Sequence, residues 1–272
     1  MSRQLTSGVL GRRKGIDADL QVYLGSLTTA LSSGQVTLLN TFVKDLKSGL
    51  EITNLSDAFD VMYILANETS ESGLKNLVKR THDATLAGLD GLPVFAALEG
   101  FTGGTANAQR RRIETGFVPS TDGDNVKLDD ASYGAYQRTT GTEFSMLFGV
   151  ASTGHITLLE NGQVTRVHST SFDNVGHLPA GLTILSRAAA ANYQCYRNKI
   201  DGTITRASTA LPEHNIWLLG YNNAGAAPSA NYGLNIQISL FFAGKSFTQS
   251  EVNIIRNTFE AYMDANGKGV IP

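Results

Sequence analysis

The side chains able to do chemistry in this 272-residue chain are scattered along it, not grouped. There are five histidines (His82, His155, His168, His177 and His214) and one cysteine, Cys195. None of the histidines stands in an H-E-x-x-H or comparable metal-ligand spacing. A lone cysteine excludes an intramolecular disulfide and a cysteine-built zinc site. His155 and His168 flank Asn161-Gly162, so they could face each other across a hairpin, but strand histidines read first as satisfied polar residues. Neither a G-x-S-x-G elbow nor a G-x-x-x-x-G-K-[ST] phosphate loop occurs.

The acids give no clearer pair. Glycoside hydrolysis needs two carboxylates held at a fixed separation. Glu143, Glu160, Asp173, Asp201 and Glu213 fall at strand ends or in turns, and no predicted strand carries two. Asp122, Asp124, Asp129 and Asp130 could offer oxygens to calcium, yet they lack EF-hand spacing and read as an acidic turn. Arg110, Arg111 and Arg112 lie between Glu99 and Glu114 and read as an ion-paired surface before a nucleic-acid contact. No catalytic residue, metal ligand or cofactor is therefore assigned.

Binding fits the residue types better. Tyr221, Asn222 and Asn223, with Tyr232 across a Gly/Ala/Asn/Pro/Ser loop, form a candidate glycan-binding group. Aromatic faces pack on sugar rings, and asparagine amides pair with hydroxyls as donor and acceptor at once. Trp217, inside an apolar run, reads as core. Tyr193 and Tyr196 share a strand, so at most one of them is expected to face the core.

The elements that must position these residues divide the chain in two. Residues 16–87 read as three short helices. Ser32 and Gln35 form an S-x-x-Q box before Val36, Leu39, Phe42, Val43 and Leu46. Asn54 or Ser56 caps a second helix with Phe59, Met62, Tyr63 and Leu65, and Ser70 or Ser72 starts a third. A Gly/Pro/Ala-rich stretch over 87–112 is the boundary. From Ile113 short apolar runs alternate with turn signals, among them Asn161-Gly162 and Asp201-Gly202, which suit hairpins. Tyr232 to Ala243 alternates with period two, predicting a strand with one buried face. Thr248 and Glu251 then form a capping box before Val252, Ile255, Phe259 and Tyr262. The fold class expected is α+β: a small N-terminal helical region, then a large antiparallel β-sandwich (jelly roll) with a C-terminal helix. The domains are a flexible basic arm over 1–15, a helical docking and oligomerisation region over 16–95, and the sandwich over 96–272.

Composition narrows the class of function. Apolar residues make up 42% of the chain, enough for a core, while charged residues are only 17%, against about 25% in ordinary domains. The surface must lean on Ser, Thr, Asn, Gln and Gly, as in dense assemblies. A net charge of −2 gives no general attraction for nucleic acid. No apolar run is long enough to span a membrane.

Three segments carry a family resemblance. Tyr193-Gln-Cys-Tyr-Arg-Asn-Lys, Asn215-Ile-Trp-Leu-Leu-Gly-Tyr-Asn-Asn and Leu240-Phe-Phe-Ala-Gly-Lys-Ser-Phe-Thr-Gln-Ser-Glu-Val resemble the laminin-G-like branch of the concanavalin A-like lectin/glucanase superfamily. The likeness spans roughly residues 113–265. Asn54 to Thr69, Leu74 to Thr85, Phe101-Thr-Gly and Thr115 to Gly123 resemble the leader of tailed-bacteriophage virion proteins. The resemblance implies a non-enzymatic virion structural protein, made in the host bacterial cytoplasm. It would be a capsid decoration or head-fibre component displaying a lectin-like sandwich. The implied partners are other virion proteins, reached through the N-terminal region, and further copies of the chain, a trimer being a guess. A host or mucosal glycan is also implied. The alternatives are a tail or collar lectin and a polysaccharide-cleaving, glucanase-like enzyme.

Overall fold

The computed structural model describes residues 15–89, 91–104, 111–140, 146–152, 154–159, 164–171, 173–174, 180–197, 200–226 and 236–272. The basic arm, Arg110, Glu143, Glu160, Asn161-Gly162, His177 and Tyr232 lie outside the described residues.

The chain opens with helices α1 (Ala18–Leu24) and α2 (Ser33–Gly49) and a 3-10 turn, Leu55–Asp57. Strand β1 (Phe59–Tyr63) and the short helix α3 (Ser70–Leu74) follow, then β2 (Thr85–Ala87), β3 (Val94–Ala96), β4 (Gly100–Thr102) and β5 (Arg112–Glu114). After α4 (Pro119–Asp122) come β6 (Ala131–Gln137), β7 (Met146–Ala151), β8 (Ile156–Leu159), β9 (Val164–Val167) and β10 (Asp173–Asn174). Next are β11 (Gly181–Ala189), β12 (Asn192–Arg197), β13 (Ile200–Thr205), β14 (Trp217–Leu218) and β15 (Asn222–Asn223). The last elements are β16 (Gln237–Gly244) and α5 (Gln249–Ala265).

Two sheets stack as a sandwich. The first has the order β13-β12-β11-β6-β16-β4-β3, with β1 also on β16; the second runs β10-β9-β8-β7-β14-β5-β2, with β15 also on β7. Pairing is antiparallel except for the two-residue contact of β15 with β7. Val61, Tyr133, Phe148, Leu158, Leu185, Cys195, Leu218 and Phe241 fill the space between the sheets. A second core separates the first sheet from the helices, with Leu39, Phe42, Phe59, Tyr136, Leu240, Phe242 and Phe259 meeting there. The molecule is thus three layers deep, helix on sheet on sheet, and the first sheet is covered on both faces.

That double cover explains where the sequence misleads. β16 is buried at every position, not on one face. A bulge between Ile238 and Leu240 puts one extra residue, Ser239, opposite β6. Ile236 and Ile238 therefore point between the sheets, while Leu240 and Phe242, in the same parity, point at the helices. Residues 59–63 are a strand, not the predicted helix. Phe59 and Met62 face the helices, Val61 and Tyr63 face the second sheet, and a bulge beside Asp60 produces a spacing that imitates a helical stripe. The predicted third helix is confined to Ser70–Leu74, capped by Thr69. Tyr193 and Tyr196 are both buried, one in each core, so the expectation that at most one faces a core fails for the same reason. Asp201-Gly202 lies inside β13, not in a turn.

Helices α2 and α5 form where their caps predict them. Thr248 Oγ1 accepts from Glu251 N, and Glu251 Oε2 accepts from Thr248 N at 2.8 Å. Ser32 Oγ accepts from Gln35 N at 3.2 Å. The Gln35 amide does not return to Ser32, as a capping box would require. It is buried and donates to the Tyr262 hydroxyl, and Ser32 N donates instead to Glu68. Phe42 meets Phe259 edge-on at 6.0 Å, locking α2 to α5.

Candidate functional site

Direct cross-strand partners point to the same side of a sheet. In the second sheet one such row runs Thr85, Glu114, Trp217, Gly149, Thr157, Arg166. Their chain neighbours Ile113, Leu218, Phe148, Ile156, Leu158 and Val167 belong to the core between the sheets. The row therefore faces outward. Trp217, expected in the core, is only 4% exposed but stands on this outer face, where the Arg112 guanidinium lies 4.1 Å over its ring. Arg112 Nε donates to Glu114 Oε1 at 2.7 Å, so the expected ion-paired reading holds for this arginine.

Tyr221 lies flat on the same face. A Cβ at Gly149 would sit 2.7 Å from its Cδ2, so a glycine there makes room for the ring. The Tyr221 hydroxyl reaches His155 Nδ1 at 3.2 Å, and Arg166 Nη1 reaches the same nitrogen at 2.6 Å. Arginine can only donate, so His155 Nδ1 accepts and the ring is neutral. Burial, then the Arg166 charge, lowers the His155 pKa.

The predicted loop residues separate. The Asn222 side chain is spent on the loop itself: Nδ2 donates to Asn215 O and Oδ1, each at 2.7 Å, and Oδ1 accepts from Gly225 N at 2.8 Å. Asn223 is exposed. So Tyr221 and Asn223 lie near the outer face with their chemistry turned outward or along it, whereas Asn222 fixes the turn beneath them.

Three polar atoms of this face, Trp217 Nε1, Arg112 Nη1 and Thr157 Oγ1, are buried with no hydrogen-bond partner among the described residues. Each such atom costs about 1–3 kcal/mol when left unpaired. Trp217, Arg112 and Thr157 were not chosen from the sequence. Period-two patterning marks apolar faces, and a tryptophan within Ile216-Trp-Leu-Leu gives no sign of which face it takes.

Four of the acids, Asp122, Asp124, Asp130 and Asp173, have separate tasks. Asp122 Oδ2 accepts from Val118 N at 2.8 Å, Asp130 Oδ1 accepts from Ser246 N at 2.7 Å, and Asp124 pairs with Lys79. Asp173 pairs with Arg206 at 2.6 Å. No group of three or more His, Cys, Asp or Glu among the described residues is placed to hold a metal ion. No helix is long and apolar enough to cross a membrane among the described residues.

His155 and His168 do not face each other. His168 is fully buried, and its Nδ1 lies 2.6 Å from Leu128 O while Nε2 lies 2.8 Å from the Tyr133 hydroxyl. A carbonyl only accepts, so Nδ1 carries the proton and Nε2 accepts. Burial is the main cause that lowers the His168 pKa to about 4 from 6.5. Between those values the unfolded chain takes up the proton and the folded one does not. Stability from this group is thus full above pH 6.5 and is lost as pH falls to about 4, by about 3 kcal/mol in all. Urea titrations at about pH 7 and about pH 5 should show a steeper acid loss for the wild type than for His168→Gln. Equal slopes would contradict this assignment.

No protein-family model matches the chain. No curated protein matches it either. Among solved structures it is similar to a Trypanosoma rangeli sialidase mutant displaying trans-sialidase activity, at 10% identity and a TM-score of 0.49, covering 88% of this chain and 40% of that one. It is similar to the binding domain of botulinum neurotoxin serotype D, at 8% identity and a TM-score of 0.49, covering 74% of this chain and 52% of that one. It is also similar to domain 4 of AbnA, a GH43 extracellular arabinanase from Geobacillus stearothermophilus, in complex with arabinotriose. There the identity is 14% and the TM-score 0.43, over 73% of this chain and 98% of that one. The chain spans about 40% of the length of the sialidase structures. At identities of 8–14%, the ligands and activities of those proteins stay with them.

Proposed function

We propose that this chain is a non-enzymatic, carbohydrate-binding display module of a bacteriophage virion. The outer face of the second sheet meets glycan, and the N-terminal region docks to other virion proteins. The observation that carries the binding half is the outer-face pair of Tyr221, its ring seated over Gly149, and the exposed Asn223. A sugar presents hydroxyls that accept and donate, and a C–H face that packs on rings, so it matches such a surface. The non-enzymatic half is supported by the acids, which are tied singly to backbone amides or basic partners. The virion half rests on the resemblance of the leader and of Thr115 to Gly123 to phage proteins. A capsid decoration or head fibre is the first choice, and a tail or collar adhesin the second. Copies repeated on a particle would add weak contacts by avidity, which suits a homo-oligomer.

A glycan array probed with the assembled protein tests the binding half. At least one glycan should bind, and Tyr221→Ala or Asn223→Ala should weaken it about tenfold, or about 1.4 kcal/mol. A blank array for folded protein would overturn it. Light scattering, with binding to particles that lack the protein, tests the virion half; a persistent monomer that ignores such particles would sink it.

A further inference from the structure

A second depression lies on the opposite side of the sandwich from Tyr221. Near one edge of the first sheet, on its helix-facing side, a cavity of about 350 Å³ opens between β11, β12 and the start of α5. That is within the roughly 300–1,000 Å³ range of small-molecule sites. Asn192, Gln194 and Tyr196 line it from alternate positions of β12, with Ser186 directly opposite Gln194 on β11. The other wall is the segment from Ser246 to Gln249.

This wall is fixed in advance. Phe247 N donates to Ser186 Oγ at 2.9 Å, and Ser186 Oγ donates to Phe247 O at 3.0 Å. Asp130 takes Ser246 N at 2.7 Å, and the capping box holds Thr248. The cavity thus needs no rearrangement to receive a guest, which lowers the cost of binding.

Its chemistry selects the guest. Every polar side chain lining it is an amide or a hydroxyl, and none is ionised at neutral pH. The Gln194 amide pairs with the Thr203 hydroxyl and the Gln249 amide donates to Asn253 Oδ1, which leaves the Asn192 amide and the Ser246 hydroxyl to meet a guest. Tyr196 and Phe247 supply aromatic surface. The α5 N-terminus would attract an anion, but a carboxylate is already seated there: Glu251 Oε2 accepts from Thr248 N and from Thr248 Oγ1, each at 2.8 Å. An amide that both donates and accepts, a hydroxyl, aromatic side chains and no net charge are the complement of an uncharged sugar ring.

We propose that this cavity is a second saccharide site, selective for neutral pyranoses over acidic ones. It extends the glycan-binding reading but stands on different residues, so the two can fail separately. The test is an amide chemical-shift titration of the full chain with glucose, galactose, mannose, N-acetylglucosamine and glucuronate, each up to about 50 mM, a range that suits millimolar affinities. At least one neutral sugar should give saturable shifts centred on residues 186–196 and 246–249, with glucuronate weaker. Asn192→Leu should weaken binding about tenfold, and Ala188→Trp, which fills the cavity, should abolish it while the thermal midpoint holds. Either substitution leaving binding intact, or glucuronate binding best, would overturn the site. Shifts confined to Tyr221 and Asn223 would overturn it and leave the outer-face reading standing. No saturation by any neutral sugar would overturn it as well, whatever the glycan array shows.

Discussion

Arg187→Met should lower the unfolding free energy by about 3–5 kcal/mol, because several buried carbonyls lose their donor at once and each costs about 1–3 kcal/mol if nothing replaces it. Arg187 is fully buried in β11, and it has no carboxylate partner within its hydrogen-bond set. Its guanidinium donates to the carbonyls of Val167, Ala189, Ala190, Asn192 and Arg206, at 2.8–3.2 Å. Those five oxygens belong to the end of β9, the β11–β12 turn and the chain leaving β13. One side chain thereby joins three segments from both sheets. Exchanging a buried ion pair for apolar groups can be harmless when both partners go. Here only the donor goes, and the carbonyls stay. Lysine would not rescue the site, since an ammonium has three donors and no fork. Urea unfolding of Arg187→Met and Arg187→Lys measures the effect, and a loss under about 1 kcal/mol in both would show that water reaches these carbonyls.

The second large effect is expected at Asp60, whose carboxylate is withdrawn from solvent beside the β1 bulge. It accepts from Asp124 N and Asn125 N at 3.0 Å and from Val126 N at 2.8 Å, with Lys79 3.8 Å away. Charge-assisted bonds of this kind are about twice as strong as neutral ones. Asp60→Asn keeps the shape but turns an NH2 group towards backbone N–H groups, so donor meets donor. A loss of about 3 kcal/mol follows, together with faster proteolysis in residues 123–127. An Asp60→Asn protein that melts with the wild type, and is cut no faster there, would refute the role. Neither residue drew attention in the sequence. A buried Arg or Asp is defined by what surrounds it, and part of these surroundings is distant in sequence: Val167 lies 20 positions from Arg187, and Val126 lies 66 from Asp60.

What the sequence does reveal is local. Thr248 with Glu251, and Ser32 with Gln35 N, are contacts within one turn, so their spacing is enough to place α5 and α2. Strands β6, β7, β8, β9 and β12 also fall within two residues of the apolar runs that predict them, at 133–138, 144–150, 155–159, 164–168 and 193–198. The misreadings are tertiary. The helical layer over the first sheet makes both faces of β1 and β16 apolar, and the bulges beside Asp60 and at Ser239 shift their parity. The site is half legible. Tyr221 and Asn223 lie by the outer face of the second sheet, but Trp217 joins them only because β14 runs between β5 and β7. Whether Asn222 or Asn223 serves the loop depends on Asn215 and Gly225, and no rule of spacing distinguishes the two.

The place of β16 bears on how the protein is made. It is the last strand in the chain, yet it lies between β6 on one side and β1 and β4 on the other. A ribosome adding about 5–20 residues per second needs on the order of ten seconds to pass from β6 to β16. Throughout that interval β6, β11, β12 and β13 can pair with one another, but β1, β4 and the free edge of β6 have no strand to close on and stay open to other nascent chains. The first sheet is therefore joined into one only once β16 has been made. A message truncated just ahead of Gln237 would yield aggregate in place of a smaller working module.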